Sequence, residues 1–444
     1  MTRKFSLLMV ALLSLSLLLS ACGSSDNTTK DSGSSSKGTN ETASIDTGSG
    51  GKVNLSFWTL FDGGDGDNMQ ALVDKFNQEH PNIQVKNTKL VWAEYYTKLI
   101  TAVGAGNGPD IGISHISRLP DLINQGVATE LDDSAKEAGV DWSTFNQNIL
   151  DASVYDSKHY AVPIDTHPFI MYYNKALLKT AGLLGEDGKP MMEQSADGFI
   201  KFLTALKEKL PKGKYPFALS NTNDDPFRLW WALYSQQGGN DVVSDDLKSP
   251  DIDTAKATKA ADYIKDLYHK YNFIKLNDPD FYKTFQSGNA AIMMTGVWAT
   301  GTWESTKGLD FGAMPIPKIY DQEATWGDAH TIILPTTTNE DPEKRKAALI
   351  FANWIADNGQ IWAKAGHIPA KPAVFDKPEF KEMPYRSDYV SVASTVKFPK
   401  HSDKNWQIRD NAMFKYLNEI WSNKMSSTDA FSKIQTEITK ILSE

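Results

Sequence analysis

The sequence predicts an α/β protein built as two lobes, and three observations predict it. Strand-like and helical segments alternate from the start of the folded body, the pattern of sheets flanked by helices. That body, from Val53 to Glu444, holds 392 residues, more than one hydrophobic core usually supports. No period of roughly 20 to 50 residues recurs along it, which argues against a solenoid or propeller.

The first segment is a targeting sequence. Arg3 and Lys4 give a basic start, Phe5 to Leu19 is an apolar run broken only by serines, and Leu19-Ser20-Ala21-Cys22 follows, so residues 1–21 read as a signal peptide. The run is short of the about 20 apolar residues that a membrane span needs. Residues 22–52 are almost wholly Ser, Thr, Gly, Asn, Asp and Lys. Such a stretch buries too little apolar surface to offset the entropy of ordering, and it reads as a flexible tether.

The body opens β, α, β, α, β. Val53 to Thr59 reads as a strand, and Met69, Leu72, Val73 and Phe76 share a helical face. Ile83 to Leu90 is strand-like, Tyr96 to Val103 helical, and Gly108-Pro109-Asp110 breaks into the apolar segment Ile111 to Ile113, an order that predicts a mostly parallel sheet. Further helical stripes are Phe199, Phe202, Leu203, Leu206 and Leu210, then Ala257, Ala260, Ala261, Ile264, Leu267, Tyr268 and Tyr271. Asp341-Pro342 is a cap and first-turn proline for a helix with Ala347, Ile350, Phe351, Trp354 and Ile355 inward. His159 to Tyr173 and Trp326 to Pro335 look extended but are interrupted by His, Asp and Pro, and such local conflicts concentrate at functional sites.

Composition narrows the function. One cysteine excludes an intrachain disulfide framework and any multi-cysteine metal site. A net charge of −9 offers no footprint for nucleic acid or anionic lipid. The chain lacks His-Glu-x-x-His, G-x-S-x-G, Walker A and G-x-G-x-x-G motifs, no histidine pair has the i, i+4 spacing of a helical metal site, and neither metal nor cofactor is expected. Gly104-Ala105-Gly106-Asn107-Gly108 follows a helix rather than preceding one, so it reads as a helix end and turn instead of a phosphate loop.

What the chain offers instead is 12 tryptophans. Trp298 and Trp303 flank a Gly-containing turn, Trp230 and Trp231 follow Asp224-Asp225-Pro226-Phe227-Arg228, and Trp326-Gly327-Asp328-Ala329-His330 joins aromatic, carboxylate and imidazole. Flat aromatic faces beside Asp, Asn, Arg and His suit an uncharged, polyhydroxylated ligand.

The ordered landmarks Leu55-Ser56-Phe57-Trp58, Gly108-Pro109-Asp110, Tyr160-Ala161-Val162-Pro163 to Tyr172-Tyr173-Asn174-Lys175, Met294-Thr295-Gly296-Val297-Trp298, Trp326-Gly327 and Gly366-His367-Ile368-Pro369-Ala370 give the body a resemblance to the extracellular solute-binding proteins of ABC sugar importers, related to maltodextrin-binding proteins. Leu19-Ser20-Ala21-Cys22 likewise resembles a bacterial lipobox, which implies diacylation of Cys22 and an anchor on the extracytoplasmic face of a membrane, a Gram-positive cell being favoured. The resemblance implies a two-lobe, periplasmic-binding-protein-like type II fold with a hinge and an interlobe ligand cleft. It places residues 53–164 and 331–365 in lobe 1, and 165–330 and 366–444 in lobe 2. It implies an oligosaccharide ligand, ABC permease subunits as partners, a monomer, no nucleic acid and no catalysis.

Carried over position by position, the resemblance implies ligand contacts at Phe61, Asp62 and Asp65 after the first strand, and at Ser114, His115 and Ser117 after Gly-Pro-Asp. It adds Asp165 and His167 on the first crossing segment, Asp225, Phe227 and Trp231 (with Trp230 as the alternative) in the second lobe, and Trp298 as a stacking platform. Trp326, Asp328 and His330 fall on the second crossing segment, His367 on the third, and Trp406 is a further platform. Trp92, Tyr95 and Tyr96 are expected only to pack. Where maltodextrin binders carry an aromatic and a charged group, this chain has Ser114, His115 and Ser117, and His167 aligns with their crossing-segment glutamate. Another oligosaccharide is therefore expected. The competing readings are a tethered glycan-cleaving lyase or hydrolase and a receptor for a non-sugar solute.

Overall fold

Parallel strands β1 (Val53–Thr59) and β2 (Ile83–Lys89) pair in register from Val53 opposite Ile83, and β3 (Ile111–His115) joins β1 on its other edge. The computed structural model that shows this describes residues 51–222, 224–239 and 241–444. The expected signal peptide, Cys22 and nearly all of the tether lie outside the described residues. Strand β4 (Val162–Pro163) belongs to the same sheet, and one residue later the chain enters β5 (Asp165–Asn174), the central strand of a second sheet. Every residue of β5 is buried. A strand covered on both faces should read as a continuous apolar run, as Pro168 to Tyr173 does, with Asp165, Thr166 and His167 as the polar exception.

The second sheet continues with β6 (Tyr215–Ala218), β7 (Ala290–Gly296), β8 (Phe311–Pro315) and β9 (Thr325–Asp328). Across the single residue Ala329 the chain returns to the first sheet as β10 (His330–Ile333). After the helices Pro342–Asp357 and Gly359–Trp362 it crosses again through β11 (Ile368–Pro369), which pairs with β5, and β12 (Val396–Lys397) closes the second sheet's edge. The orders are β2-β1-β3-β10-β4 and β12-β9-β5-β7-β6, with β8 and β11 also on β5. The opening strands β1, β2 and β3 pair in parallel as expected, but beyond them the expectation of a mostly parallel sheet is corrected. β10 is antiparallel to β3 and β4, and β5 is antiparallel to β7, β8, β9 and β11. The chain leaves the first sheet at Ile164 and returns at Ala329, so the crossing strands run in opposite directions, β4 against β10 and β5 against β9.

Each sheet carries its own core. In the first, Phe57, Phe76 and Phe351 meet edge to face, at 5.4 Å for Phe57–Phe351 and 4.9 Å for Phe76–Phe351. In the second, Trp230 stacks on Tyr234 at 5.1 Å beside buried Trp421 and Phe431. The predicted helical stripes form the helices Gly63–Glu79, Ala196–Lys209 and Thr254–His269, each with the expected apolar residues inward, except that Tyr271 lies beyond its helix and Leu210 is the C-cap of its own. Asp341 caps the helix Pro342–Asp357, accepting from the backbone amides of Glu343 and Lys344. Trp354 is only half-buried, because its indole N–H reaches Glu79 at the surface, 2.9 Å away. Among the described residues, no helix is long and apolar enough to cross a membrane.

Truncating Phe57 to alanine leaves a cavity in a core that cannot collapse around it. We expect Phe57→Ala to lower stability by about 3 to 5 kcal/mol, seen as a lower urea midpoint at an unchanged slope.

Candidate ligand-binding site

The carboxyl ends of β1, β3, β7 and β9 open on one cavity of about 360 Å³. Ligands favour that end of α/β sheets because the loops leaving neighbouring strands diverge there. Leu60, Phe61, Asp62 and Asp65 follow β1, and His115 ends β3. From the second sheet come Trp298 after β7 and Trp326 and Asp328 on β9, with Asp224 and Arg228 from the helix Asp224–Gln236. His167, His330 and His367, from the three crossing segments, form the floor, and Trp92, Trp406 and Arg409 complete the rim.

The floor is organised around Asp165, which is fully buried. Its Oδ1 accepts from the His330 backbone amide at 2.9 Å and from His167 Nδ1 at 3.2 Å. Its Oδ2 accepts from His330 Nδ1 at 2.7 Å and from the Trp362 indole at 2.5 Å. Burial disfavours the ionised carboxyl, but the flanking His330 and His367 rings and the bonds from His167 and His330 outweigh it and hold Asp165 well below the usual carboxylate range. The imidazoles respond in opposite ways. Burial, reinforced by the neighbouring His330, pulls His167 down to about 3 and takes His115 well below its ordinary value. Burial works against protonating His367 too, yet Asp65 and Asp165 on either side raise it. Its Nε2 is 3.3 Å from Asp65 and its Nδ1 3.6 Å from Asp165, ion-pair rather than hydrogen-bond geometry.

Asp165, His167, His330 and His367 are also of the donor types that hold a transition metal, and one ligand atom from each can be chosen within 4.8 Å of the others. Each short contact to Asp165 is nevertheless an N–H donor, so its lone pairs are engaged without an ion.

The walls are aromatic and cationic. Arg228 lies 4.9 Å from the Trp298 ring centre and 4.7 Å from that of Trp326, and it is held by Asp225 at 2.5 Å and Asp224 at 3.2 Å. Trp298 is placed by Gly296, since a Cβ there would fall 1.9 Å from its ring, and its indole N–H donates to the Tyr282 hydroxyl at 3.1 Å. His367 is placed by Gly366, at φ +118, where a Cβ would sit 1.9 Å from the Val297 carbonyl oxygen. Across the cavity the guanidinium groups of Arg118 and Arg409 lie over the Trp406 ring, at 4.3 and 3.5 Å. The Trp406 indole donates to Ser117 Oγ at 3.0 Å, and that hydroxyl donates to Asp328 at 2.5 Å.

Of the residues expected to contact ligand, Phe61, Asp62, Asp65, His115, His167, Trp298, Trp326, Asp328, His330, His367 and Trp406 line this cavity. Ser117, Phe227 and Trp231 line a smaller apolar recess of about 60 Å³ that shares Trp326, Asp328 and Trp406. Three stand behind the surface. Ser114 is buried, its hydroxyl turned to the His115 carbonyl; Asp165 is the network's centre; and Asp225 is buried against Arg228. Burial of Asp225 raises its pKa despite Arg228. Trp230 is a core residue whose indole donates to the Ala257 carbonyl, and Trp303 is likewise core rather than an open platform. Trp92, expected to pack, is 46% exposed at the rim, 5.9 Å from Trp406. Asp224 and Arg228 were legible as an acceptor and a planar donor beside Trp230 and Trp231, while Arg409 carried no signal in the sequence.

Two α/β lobes with a cavity at the crossing segments define a binding protein of the type II class. The chain belongs to the bacterial extracellular solute-binding protein family, whose model matches residues 62–362. It is 24% identical to the maltodextrin-binding protein MdxE of Bacillus subtilis, over 83% of this chain and 87% of that protein. It is also 24% identical to the arabinooligosaccharide-binding protein of Halalkalibacterium halodurans, over 75% and 74%. Its fold matches the GacH receptor of Streptomyces glaucescens, solved unliganded and with acarbose, at a TM-score of 0.75, 20% identity, and coverage of 88% of this chain and 99% of that one.

The neutral imidazole of His167 makes stability depend on pH. Unfolded it titrates near 6.5 and folded near about 3, so between those values the unfolded chain binds the extra proton. Its contribution is complete above pH 6.5 and is lost as pH falls towards about 3. His115 acts in the same direction, whereas His367 contributes below its unfolded value and loses that contribution as pH rises. Urea unfolding between pH 6 and 4 should show a slope that His167→Gln reduces by up to about 1.4 kcal/mol per pH unit. An unchanged slope would mean that His167 protonates in the folded state.

Proposed function

We propose that this protein captures an oligosaccharide in the cavity between its lobes, closes around it by hinge motion, and delivers it to the permease of an ABC importer. The observation that carries this reading is the pairing of Trp298 and Trp326 with Asp65, Asp328, Arg228 and four histidines around one cavity. Aromatic faces take the C–H faces of a sugar, and the polar groups take its hydroxyls. The names of the maltodextrin- and arabinooligosaccharide-binding relatives support the same ligand class. The short crossings at Ile164 and Ala329 and the segment through His367 support a hinge there. In this proposal residues 53–164 and 331–365 form one lobe and 165–330 and 366–444 the other, closure being favoured because ligand touches both only when closed. The protein makes and breaks no covalent bond.

In the same reading Cys22 carries the acyl chains, and residues 22–52 hold a monomeric body above the extracytoplasmic face of the membrane. Two chains anchor a protein where one holds it only marginally. Native protein from its own membrane should show an N-terminal mass with at least two acyl chains on residue 22; an unmodified terminus contradicts the anchor.

A thermal-shift screen over starch, arabinan and pectin oligosaccharides tests the ligand class. A true ligand at about 100-fold its Kd adds about 2.7 kcal/mol of stability, and release of new reducing ends or unsaturated products would overturn the receptor reading. With the identified sugar, Trp298→Ala should weaken binding by about 1 to 3 kcal/mol in calorimetry. Equal affinity would remove Trp298 from the site.

A further inference from the structure

Asp165 decides which nitrogen of its neighbouring imidazoles carries the proton. A carboxylate only accepts, so His167 Nδ1 at 3.2 Å and His330 Nδ1 at 2.7 Å are both N–H donors to it. Burial keeps His167 from taking a second proton, so its other nitrogen is a bare lone pair. Both rings line the cavity, stacked 4.2 Å apart, and Nε2 of each is the nitrogen left to it.

His115 is held in the opposite sense. The buried Tyr96 hydroxyl lies 3.0 Å from the His115 backbone nitrogen and 2.6 Å from its Nδ1. The peptide N–H must donate, so the hydroxyl oxygen accepts it, and the hydroxyl's own hydrogen has Nδ1 as its acceptor. Burial keeps that phenol protonated far above neutral pH. His115 Nδ1 therefore accepts, and its Nε2 carries the N–H. The ring lines the same cavity, with its centre 4.7 Å from His330 and 5.6 Å from His167. Burial also disfavours the cationic form of both His115 and His167.

We propose that the cavity floor selects its ligand by this fixed polarity: His167 Nε2 accepts a hydrogen bond while His115 Nε2–H donates one, so this pair takes adjacent hydroxyls of a neutral sugar and rejects a carboxylate, phosphate or ammonium there. A hydroxyl both donates and accepts, so neighbouring hydroxyls satisfy both rings. An anionic oxygen has no hydrogen for the His167 lone pair and would leave it unpaired and repelled. An ammonium has no lone pair for His115. The inference rests on the cavity being the ligand site, as in the proposed function, and deepens it from oligosaccharide to neutral oligosaccharide.

Two measurements test it separately. The first needs no ligand: long-range 1H–15N spectra of the full chain labelled in histidine, at pH 7.5, with rings assigned through single His→Gln variants. The expected result is the Nδ1–H tautomer for His167 and the Nε2–H tautomer for His115. Nε2–H or imidazolium at His167, or Nδ1–H at His115, would overturn the proposal. Tyr96→Phe should release His115 to a mixture of tautomers while His167 keeps its pattern, a change that loss of packing alone would not produce. An unaltered His115 spectrum would overturn the positioning role of Tyr96. The second compares thermal shifts with maltotriose, arabinotriose and trigalacturonate at equal concentration. Stabilisation confined to a neutral trisaccharide supports the proposal, and greater stabilisation by trigalacturonate overturns it. If no oligosaccharide of any class stabilises the protein, the proposed function fails, while the tautomer spectra still decide the polarity of the floor.

Discussion

A single buried carboxylate ties the crossing segments to one another. Asp165 begins β5 just after the chain leaves the first sheet, and it accepts hydrogen bonds from His330 at the start of β10 and from Trp362 on a helix packed in the first core. It also bonds His167 on its own strand and faces His367 on the third crossing. An uncompensated buried charge costs several kcal/mol, so such a group persists only where donors surround it. Four donors converge on Asp165 from three chain segments. The same contacts orient the imidazoles that floor the cavity, so the constraint that holds the crossings also sets the chemistry of the site.

The walls follow a second version of that logic. Arg228 is fixed by Asp224 and Asp225 and lies against Trp298 and Trp326, so a flexible side chain becomes a preorganised donor between two aromatic rings. Trp406 is held through Ser117 to Asp328, joining the end of β3, the second crossing and the C-terminal region. Ligand entering such a site meets groups whose rotamers are already set, which lowers the entropic cost of ordering them on binding.

Much of this was legible in the sequence because period and local chemistry carried it. Helices Gly63–Glu79 and Thr254–His269 were readable from apolar spacing, and the polar interruptions at Asp165, His167, Asp328 and His330 marked the first two sheet crossings. Three things were not legible. The antiparallel pairing of β5 with β7, β8, β9 and β11 is set by the strand arrangement of the second sheet, which element order alone does not reveal. Ser114 and Asp225 fell on positions that the family resemblance implied, but the alternation along β3 and the turn of the helix Asp224–Gln236 bury them behind the surface. Trp92 looked like packing because it shares a segment with Tyr95 and Tyr96, yet it is half-exposed at the rim, whereas those two tyrosines are buried. Such placement is set by tertiary contacts that no local pattern encodes.

The central claim is that one cavity, floored by the Asp165 network and walled by Trp298 and Trp326, binds a sugar between the lobes. A crystal structure of the complex with the oligosaccharide that most stabilises the protein tests it most directly. The account predicts a sugar ring against Trp298 or Trp326, with hydroxyls within hydrogen-bond distance of the Nε2 atoms of His115 and His167. Sugar bound elsewhere on the protein, or in the cavity with those imidazoles turned away from it, would contradict it.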